Sequence, residues 1–274
     1  MTIIQALVLG IIQGATEFLP ISSSGHLVLV PWLLGWHNVG ESDLAFNTLL
    51  HLGTLVAVLG YFWADIWRIL RAAGEGVRRR DFMGTADARL AWFILVGSVP
   101  AGLVGLLLED WFEALFGSPL AAAFFLLGTA GLLFFAELAG RQDRALDSLR
   151  WSHALWIGCA QALAILPGIS RSGATIAAAL RRGVERAEAA RYSFLLGVPA
   201  VLGAGGLQLL KLFQAGELSS QVDVLLVGFG SAAVVGYLAI HTLLLYVRKR
   251  PLYLFAFYCV VLSGLSLVIY GLRG

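Results

Sequence analysis

Gln13-Gly-Ala-Thr-Glu17-Phe-Leu-Pro20-Ile-Ser22-Ser23-Ser24-Gly25-His26 is an apolar helical run broken in its middle by proline, serine and glycine. Leu166-Pro167-Gly168-Ile169-Ser170-Arg171-Ser172-Gly173-Ala174-Thr175 has the same character. When the sequence is slid against itself by 148 residues, Ala6, Leu7, Gly10, Gln13, Ile21, Ser22, Ser24 and Gly25 meet identical residues, eight matches in twenty positions without a gap. The shared core is Ile-Ser-x-Ser-Gly. Each copy lies in an interrupted apolar region, Thr2–Trp36 or Ser152–Leu180. The halves of these regions are mostly too short to cross a bilayer, which takes about 20 apolar residues.

The rest of the chain sets the class. Of its 274 residues 59% are hydrophobic and 13% charged, and the mean hydropathy is +0.83. A soluble domain cannot hide that much apolar side chain, so the reading is an all-α polytopic membrane protein. The composition excludes a disordered chain, a disulfide scaffold and a nucleic-acid-binding domain. Cys159 and Cys259 sit in apolar stretches and are expected to be buried thiols. Met1–Leu9 lacks a basic n-region and a cleavage site, so no removable signal peptide is expected.

Six charge-free stretches read as transmembrane helices: Leu44–Ala64, Leu90–Leu108, Ala114–Ala136, Tyr192–Leu210, Val224–Val247 and Pro251–Leu272. With the two interrupted regions as re-entrant hairpins, sixteen of the nineteen Lys and Arg residues fall on one side, the exceptions being Arg171, Lys211 and Arg273. Glu41, Asp43, Glu109, Asp110, Glu113 and Glu217 fall on the other. The basic side is therefore expected to be cytoplasmic. Each hairpin is followed by three spans, an odd number, so the second copy is inverted relative to the first. The expected organisation is a single membrane domain, 1–274. Its first repeat is 1–138 (hairpin 2–36) and its second, inverted repeat is 150–274 (hairpin 152–182). Inverted repeats with broken helices place a polar site near the bilayer midplane, where the breaks meet.

Several polar residues converge there. Gln13 and Glu17 are four apart, on one helical face. A charge at the centre of a membrane helix costs about 2.5–3.5 kcal/mol on insertion scales, so Glu17 and Arg171 are expected to face each other across a wet cavity. Arginine presents a planar fork of donors that matches phosphate oxygens. Serine hydroxyls add donors, and one of them is a nucleophile if a base stands beside it. Glu17 or His26 suits the base, and Glu17 with Gln13 also suits a hard divalent cation. A Glu–Arg pair equally suits a structural lock between hairpins, and Ser-Gly runs suit close helix contact. Asn47 and His51, one turn apart near the start of the first span, are weaker candidates for the cavity mouth. His241 reads as a packing residue.

These motifs resemble those of the undecaprenyl-diphosphatase family, the bacitracin-resistance membrane phosphatases. Gln13-Gly-Ala-Thr-Glu17 is similar to the family's (E/Q)xxxE motif. Pro20-Ile-Ser-Ser-Ser-Gly-His26 is similar to its PISSSGH segment, and Pro167-Gly-Ile-Ser-Arg-Ser-Gly-Ala-Thr-Ile176 to its PGxSRSGxT segment. The resemblance covers nearly the whole chain. It implies an enzyme of the bacterial inner membrane that converts undecaprenyl diphosphate to undecaprenyl phosphate and inorganic phosphate. That reaction recycles the lipid carrier of peptidoglycan synthesis and confers bacitracin resistance. The implied partners are the polyprenyl diphosphate and membrane lipids, with no nucleic acid, and an oligomer is compatible with the sequence.

The resemblance also implies the roles. Glu17, Ser23, His26 and Arg171 form the expected catalytic set. Ser22, Ser24, Ser170, Ser172 and Thr175 are the expected phosphate-binding residues. Ser23 is the favoured nucleophile because the repeat alignment sets it against Arg171, although sequence does not decide between Ser23 and His26. Mg2+ or Ca2+ is the implied cofactor, with Gln13 and Glu17 as its protein ligands. The first motif position here is glutamine, one carboxylate fewer than the acidic form of the motif. The site is expected to open to the outer, periplasmic side. The rival reading is a secondary transporter or flippase of a polyprenyl phosphate, which the same inverted repeat would suit. Type-2 phosphatidic acid phosphatases are disfavoured, because Ala177 stands where their motif needs histidine six residues after the arginine.

Overall fold

The computed structural model describes residues 1–36, 44–107, 115, 117–138, 142–215 and 222–273. Those residues build α1 (Ile3–Phe18), α2 (Ser23–Leu34), α3 (Leu44–Tyr61), α4 (Trp63–Arg79), α5 (Ala86–Leu107), α6 (Pro119–Glu137), α7 (Trp151–Leu163), α8 (Arg171–Leu180), α9 (Arg186–Ala215), α10 (Val222–Val247) and α11 (Tyr253–Arg273). No strand occurs among the described residues; an isolated bridge pairs Arg144 with Val184.

Helices α5, α6, α9, α10 and α11 are each long and apolar enough to cross a bilayer, and α3 with α4 forms a sixth candidate bent by 78°. Large apolar side chains such as Leu226, Val234, Leu238, Phe257 and Val261 are exposed on their outer faces, the surface lipid requires. The chain is an all-helical, multi-pass membrane protein. The acidic residues expected in outer loops (Glu41, Asp43, Glu109, Asp110, Glu113 and Glu217) lie outside the described residues, as does Arg141.

Local sequence explains the breaks. Thr2 and Gln5 form a reciprocal capping box that starts α1. Leu19 precedes Pro20, takes an extended conformation and ends the helix. Ser22 then caps α2 through its side chain, and Ser170 caps α8 in the same way. Between α7 and α8 Gly168 has φ +101°, a left-handed value suited to glycine, and a Cβ there would run into Ala122 O.

The predicted span Leu44–Ala64 departs from the structure at its end. The helix stops at Tyr61, turns at Phe62 and continues as α4. That segment carries apolar Trp63, Trp67 and Leu70 on an exposed face, with Arg71 over the Trp67 ring at 4.8 Å. Its other side carries Asp65, which accepts from Arg68 and from Arg191 of α9, each at 2.9 Å. One apolar face and one charged face are the pattern of an amphipathic helix. Cys259 is buried as expected, but Cys159 is exposed, because α7 turns that face outward.

Small residues let the helices approach closely. Gly10 and Gly14 of α1 lie on α10, where a methyl on Gly14 would stand 2.7 Å from Ala232 O. Gly158 of α7 lies on α5, its Cα side against Gly97 O. These are the tight backbone contacts that small residues permit between membrane helices. α3 packs on α10 and α9, and α11 packs on α6.

Polar ties gather the helix ends into two groups. At one end buried Glu137 of α6 accepts from Arg186 of α9 and, at 2.8 Å, from Leu252 N before α11. Arg144 and the turn after α8 exchange backbone hydrogen bonds with Gly183 and Glu185 at the same end. At the other end Arg273 of α11 donates to Trp32 O (2.7 Å) and Leu33 O (3.1 Å), closing the end of α2. Met1 and Trp36 pack against a buried cluster that includes Phe46 and Val224.

Candidate functional site

The two broken turns meet. A Cβ on Gly25 would lie 3.2 Å from Gly168 Cα, and one on Gly173 would lie 3.5 Å from Pro20 Cβ. Gly168 N donates to Ser24 Oγ at 3.4 Å, and Ser172 Oγ donates to Leu19 O at 3.2 Å. The starts of α2 and α8 are thereby brought together inside the bundle.

Glu17 is the hub of the charged groups. Its side chain is 6% exposed. Ser23 Oγ donates to Oε2 at 2.6 Å, and Gln13 Nε2 donates to the same oxygen at 3.1 Å. Arg171 Nη2 donates to Oε1 at 2.8 Å. The structure thus brings Glu17, Ser23 and Arg171 together, with the acid and the guanidinium in direct contact and not facing each other across a cavity. Arg171 Nη1 is buried and makes no hydrogen bond. An unsatisfied charged donor is costly to bury.

His26 is placed differently from the other three. Its Nδ1 lies 2.7 Å from Ser22 O and its Nε2 2.7 Å from Tyr258 OH. A carbonyl only accepts, so Nδ1 donates to Ser22 and Nε2 accepts from the tyrosine. Neither nitrogen bonds Glu17 or Ser23. Ser22 has φ +71°, an uncommon conformation for a residue with a Cβ. His26 therefore braces the carbonyl of the strained residue that precedes Ser23.

The remaining predicted residues have protein partners already. Ser22 and Ser24 Oγ stand 3.3 Å apart, and Ser170 and Ser172 Oγ 3.1 Å apart. Ser22 and Ser170 also accept from Gly25 N (3.2 Å) and Gly173 N (3.0 Å). Thr175 Oγ1 bonds Arg171 O at 2.8 Å and Ser193 Oγ at 2.6 Å. These hydroxyls knit the two turns.

Four residues outside the motifs complete the arrangement. Thr129 of α6 donates to Gly168 O and accepts from Ser170 N, both at 2.8 Å. Gly197 of α9 leaves room for the Arg171 guanidinium, which a side chain there would overlap. Tyr258 holds His26. His51 Nε2 lies 4.0 Å from Glu17 Oε2. Only His51 gave a sequence signal, as a weak candidate for the mouth; the others are reached through the fold alone.

Gln13 and Glu17, the pair expected to hold a divalent cation, lie side by side, with Gln13 Oε1 buried and without a hydrogen bond. They are bonded to each other, and Glu17 is already paired with a guanidinium. Among the described residues no group of three or more His, Cys, Asp or Glu gathers in metal-binding geometry. Mg2+ is usually held by one or two carboxylates together with waters and substrate phosphates.

Comparison with known proteins gives a consistent picture. Residues 6–265 match the family model described as bacitracin resistance protein BacA. A protein named undecaprenyl-diphosphatase from Desulforudis audaxviator (strain MP104C) is 47% identical over 270 residues, covering 98% of each chain. One of the same name from Thermomicrobium roseum (strain ATCC 27502 / DSM 5159 / P-2) is 45% identical over 276 residues, again 98% of each. Another from Moorella thermoacetica (strain ATCC 39073 / JCM 9320) is 43% identical over 273 residues and covers both chains fully.

Proposed function

We propose that this chain, which belongs to the bacitracin resistance protein BacA family, hydrolyses undecaprenyl diphosphate to undecaprenyl phosphate and inorganic phosphate. The observation that carries the reading is the arrangement on Glu17. One carboxylate oxygen receives the Ser23 hydroxyl at 2.6 Å while Arg171 holds the other at 2.8 Å and keeps Nη1 uncommitted. That is a nucleophile with its base, beside a donor aimed at phosphate.

In the first step Ser23 Oγ attacks the terminal phosphorus as its proton passes to Glu17. The phosphorus–oxygen bond to the bridging oxygen breaks, and undecaprenyl phosphate leaves with the electron pair. Undecaprenyl phosphate carries away the proton that Glu17 took from Ser23, which restores the carboxylate. Water then attacks the phosphoserine as its proton passes to Glu17, and Ser23 Oγ leaves and takes that proton back from Glu17, releasing inorganic phosphate. Arg171 and the free N–H groups at the starts of α2 and α8 stabilise the phosphoryl oxygens. His26 acts through the Ser22 turn, since both its ring nitrogens are committed elsewhere. No step is assigned to a divalent cation; Mg2+ or Ca2+ would arrive as the counter-ion of the diphosphate.

The reading includes six membrane spans and two re-entrant hairpins in an inverted repeat, 1–138 and 150–274. The close pairs support it. Gly25 with Gly168 and Pro20 with Gly173 exchange under the 148-residue shift. So do the contacts of α1 with α10 and of α7 with α5. The hairpin ends gather at opposite ends of the bundle, α2 beside Arg273 and α8 beside Arg144. With the arginine-rich end in the cytoplasm of a bacterial inner membrane, the first hairpin enters from outside and the site opens outward. The transporter reading gains nothing from the relatives, whose names are those of a hydrolase.

The test is phosphate release by the purified chain in detergent, given undecaprenyl diphosphate and Mg2+. Release by the wild type, abolished in Ser23→Ala and Arg171→Ala variants that stay folded, supports the reading. Lipid movement without release overturns it.

A further inference from the structure

His51 faces the charged cluster from α3, a helix whose sequence lies outside both motifs. Its Nδ1 lies 2.8 Å from Asn47 O, one turn back on α3. Because a carbonyl only accepts, Nδ1 donates, and the bond fixes the ring with Nε2 turned toward Glu17. Nε2 stands 4.0 Å from Glu17 Oε2, too far for a hydrogen bond. It is a gap that one bridging oxygen spans.

Exposure separates His51 from its neighbours. Its side chain is 37% exposed, against 19% for Arg171 and 6% for Glu17. It is therefore the most open of these three groups. Arg171 approaches the carboxylate through Oε1 and His51 approaches through Oε2, so the two bases flank it. Of the helices packed on α3, α1 presents Glu17 to the ring, with Arg171 of α8 behind it. α9 carries Lys211, six residues past the Gly205 that lies on Leu52. α10 carries Asp223 and His241 near its two ends, and α4 carries Asp65 and Arg68 in its first turns.

A diphosphate has more oxygens than one guanidinium covers. We propose that His51 is a substrate-binding residue whose Nε2 donates to a diphosphate oxygen on the side of Glu17 opposite Arg171. In the imidazolium form Nε2 carries a hydrogen while Nδ1 keeps Asn47, and the charge of the diphosphate pairs with that form. The assignment rests on the phosphatase reading for the identity of the ligand. No bond is made or broken at His51.

Two measurements on the full chain in detergent test it. Phosphate release from undecaprenyl diphosphate gives KM and kcat. Calorimetric titration of undecaprenyl diphosphate, and separately of inorganic diphosphate, is run on the Ser23→Ala background and needs no turnover. His51→Ala and His51→Phe are expected to raise KM about tenfold, with kcat within about threefold and affinity weakened to match. His51→Gln keeps an N–H donor at similar reach and is expected to return KM to within about threefold of the wild type. Unchanged KM and affinity in both His51→Ala and His51→Phe overturn the proposal. So does a loss confined to kcat, or a His51→Gln variant no better than His51→Ala. A wild type that binds the diphosphate without releasing phosphate sinks the phosphatase reading alone, and the titrations still decide the role of His51.

Discussion

Gly197 of α9 lies against the Arg171 guanidinium so closely that a methyl group on it would overlap Nη1. The arginine is held in place by Glu17 at 2.8 Å and by its own start-of-helix position. A side chain at 197 must therefore push the guanidinium off the carboxylate or away from the phosphate position. Gly197→Ala is expected to lower kcat at least about tenfold, since misplacement near 1 Å costs up to about a hundredfold. Phosphate release checks this, with size-exclusion behaviour confirming the fold.

Removing the acid tests the hub. Glu17→Gln takes away the acceptor of the Ser23 proton and leaves Arg171 without its partner. Activity is expected to fall by about 10²–10⁴-fold, the range for general acid–base groups. The double variant Glu17→Gln, Arg171→Gln is expected to be less destabilised than the two single losses added together, with a coupling of about 1–3 kcal/mol. Thermal unfolding of the four proteins in one detergent measures it. A coupling of zero would mean that the pair does not form.

His26 and Tyr258 separate bracing from chemistry. His26→Ala removes the side-chain donor to Ser22 O and leaves only the backbone N–H of residue 26, so the strained turn loosens and activity is expected to be nearly lost. Tyr258→Phe removes only the outer bond and is expected to cost about 1 kcal/mol of stability, with activity within several-fold of the wild type. Equal losses in the two variants would count against the bracing role.

Thr129→Val removes one hydroxyl that serves both Gly168 O and Ser170 N. Two buried backbone groups lose their partner, and the cost is expected to be about 2–4 kcal/mol. Thermal unfolding checks the magnitude. Phosphate release should fall with it, because Ser170 leads into Arg171.

Orientation is testable in cells. In a chain with Cys159 and Cys259 replaced by alanine, Leu34→Cys and Arg78→Cys lie at opposite ends of the bundle, and the positions are exposed. A membrane-impermeant maleimide is expected to label Leu34→Cys in intact cells. Arg78→Cys should label only after permeabilisation. The reverse pattern would invert the topology.

Much of the site is legible in the sequence because the chemistry is local. Pro20 and Gly168 break helices by their own backbone limits, and the serines beside them cap the helices that follow. Intramembrane Glu17 and Arg171 require each other on energetic grounds that their residue types alone supply. What the sequence hides lies on other helices. Nothing near Gly197, Thr129 or Tyr258 marks them, since their partners are 26, 39 and 232 residues away. The bend at Phe62 is hidden for another reason: Trp63 and Ala64 extend the apolar run, and only the amphipathic pattern beyond them shows that the helix has turned aside. His26 is only partly legible, because a histidine beside a serine turn suits either acid–base work or bracing, and the tyrosine bonded to it comes from the last helix.

The two charges that define the site are divided between the halves of the chain. Glu17 has Ile165 as its counterpart at the 148-residue offset, and Arg171 has Ser23. The Glu17–Arg171 contact therefore maps onto Ser23 and Ile165, which supply neither charge. The result is that neither half, paired with its own duplicate, rebuilds a working centre.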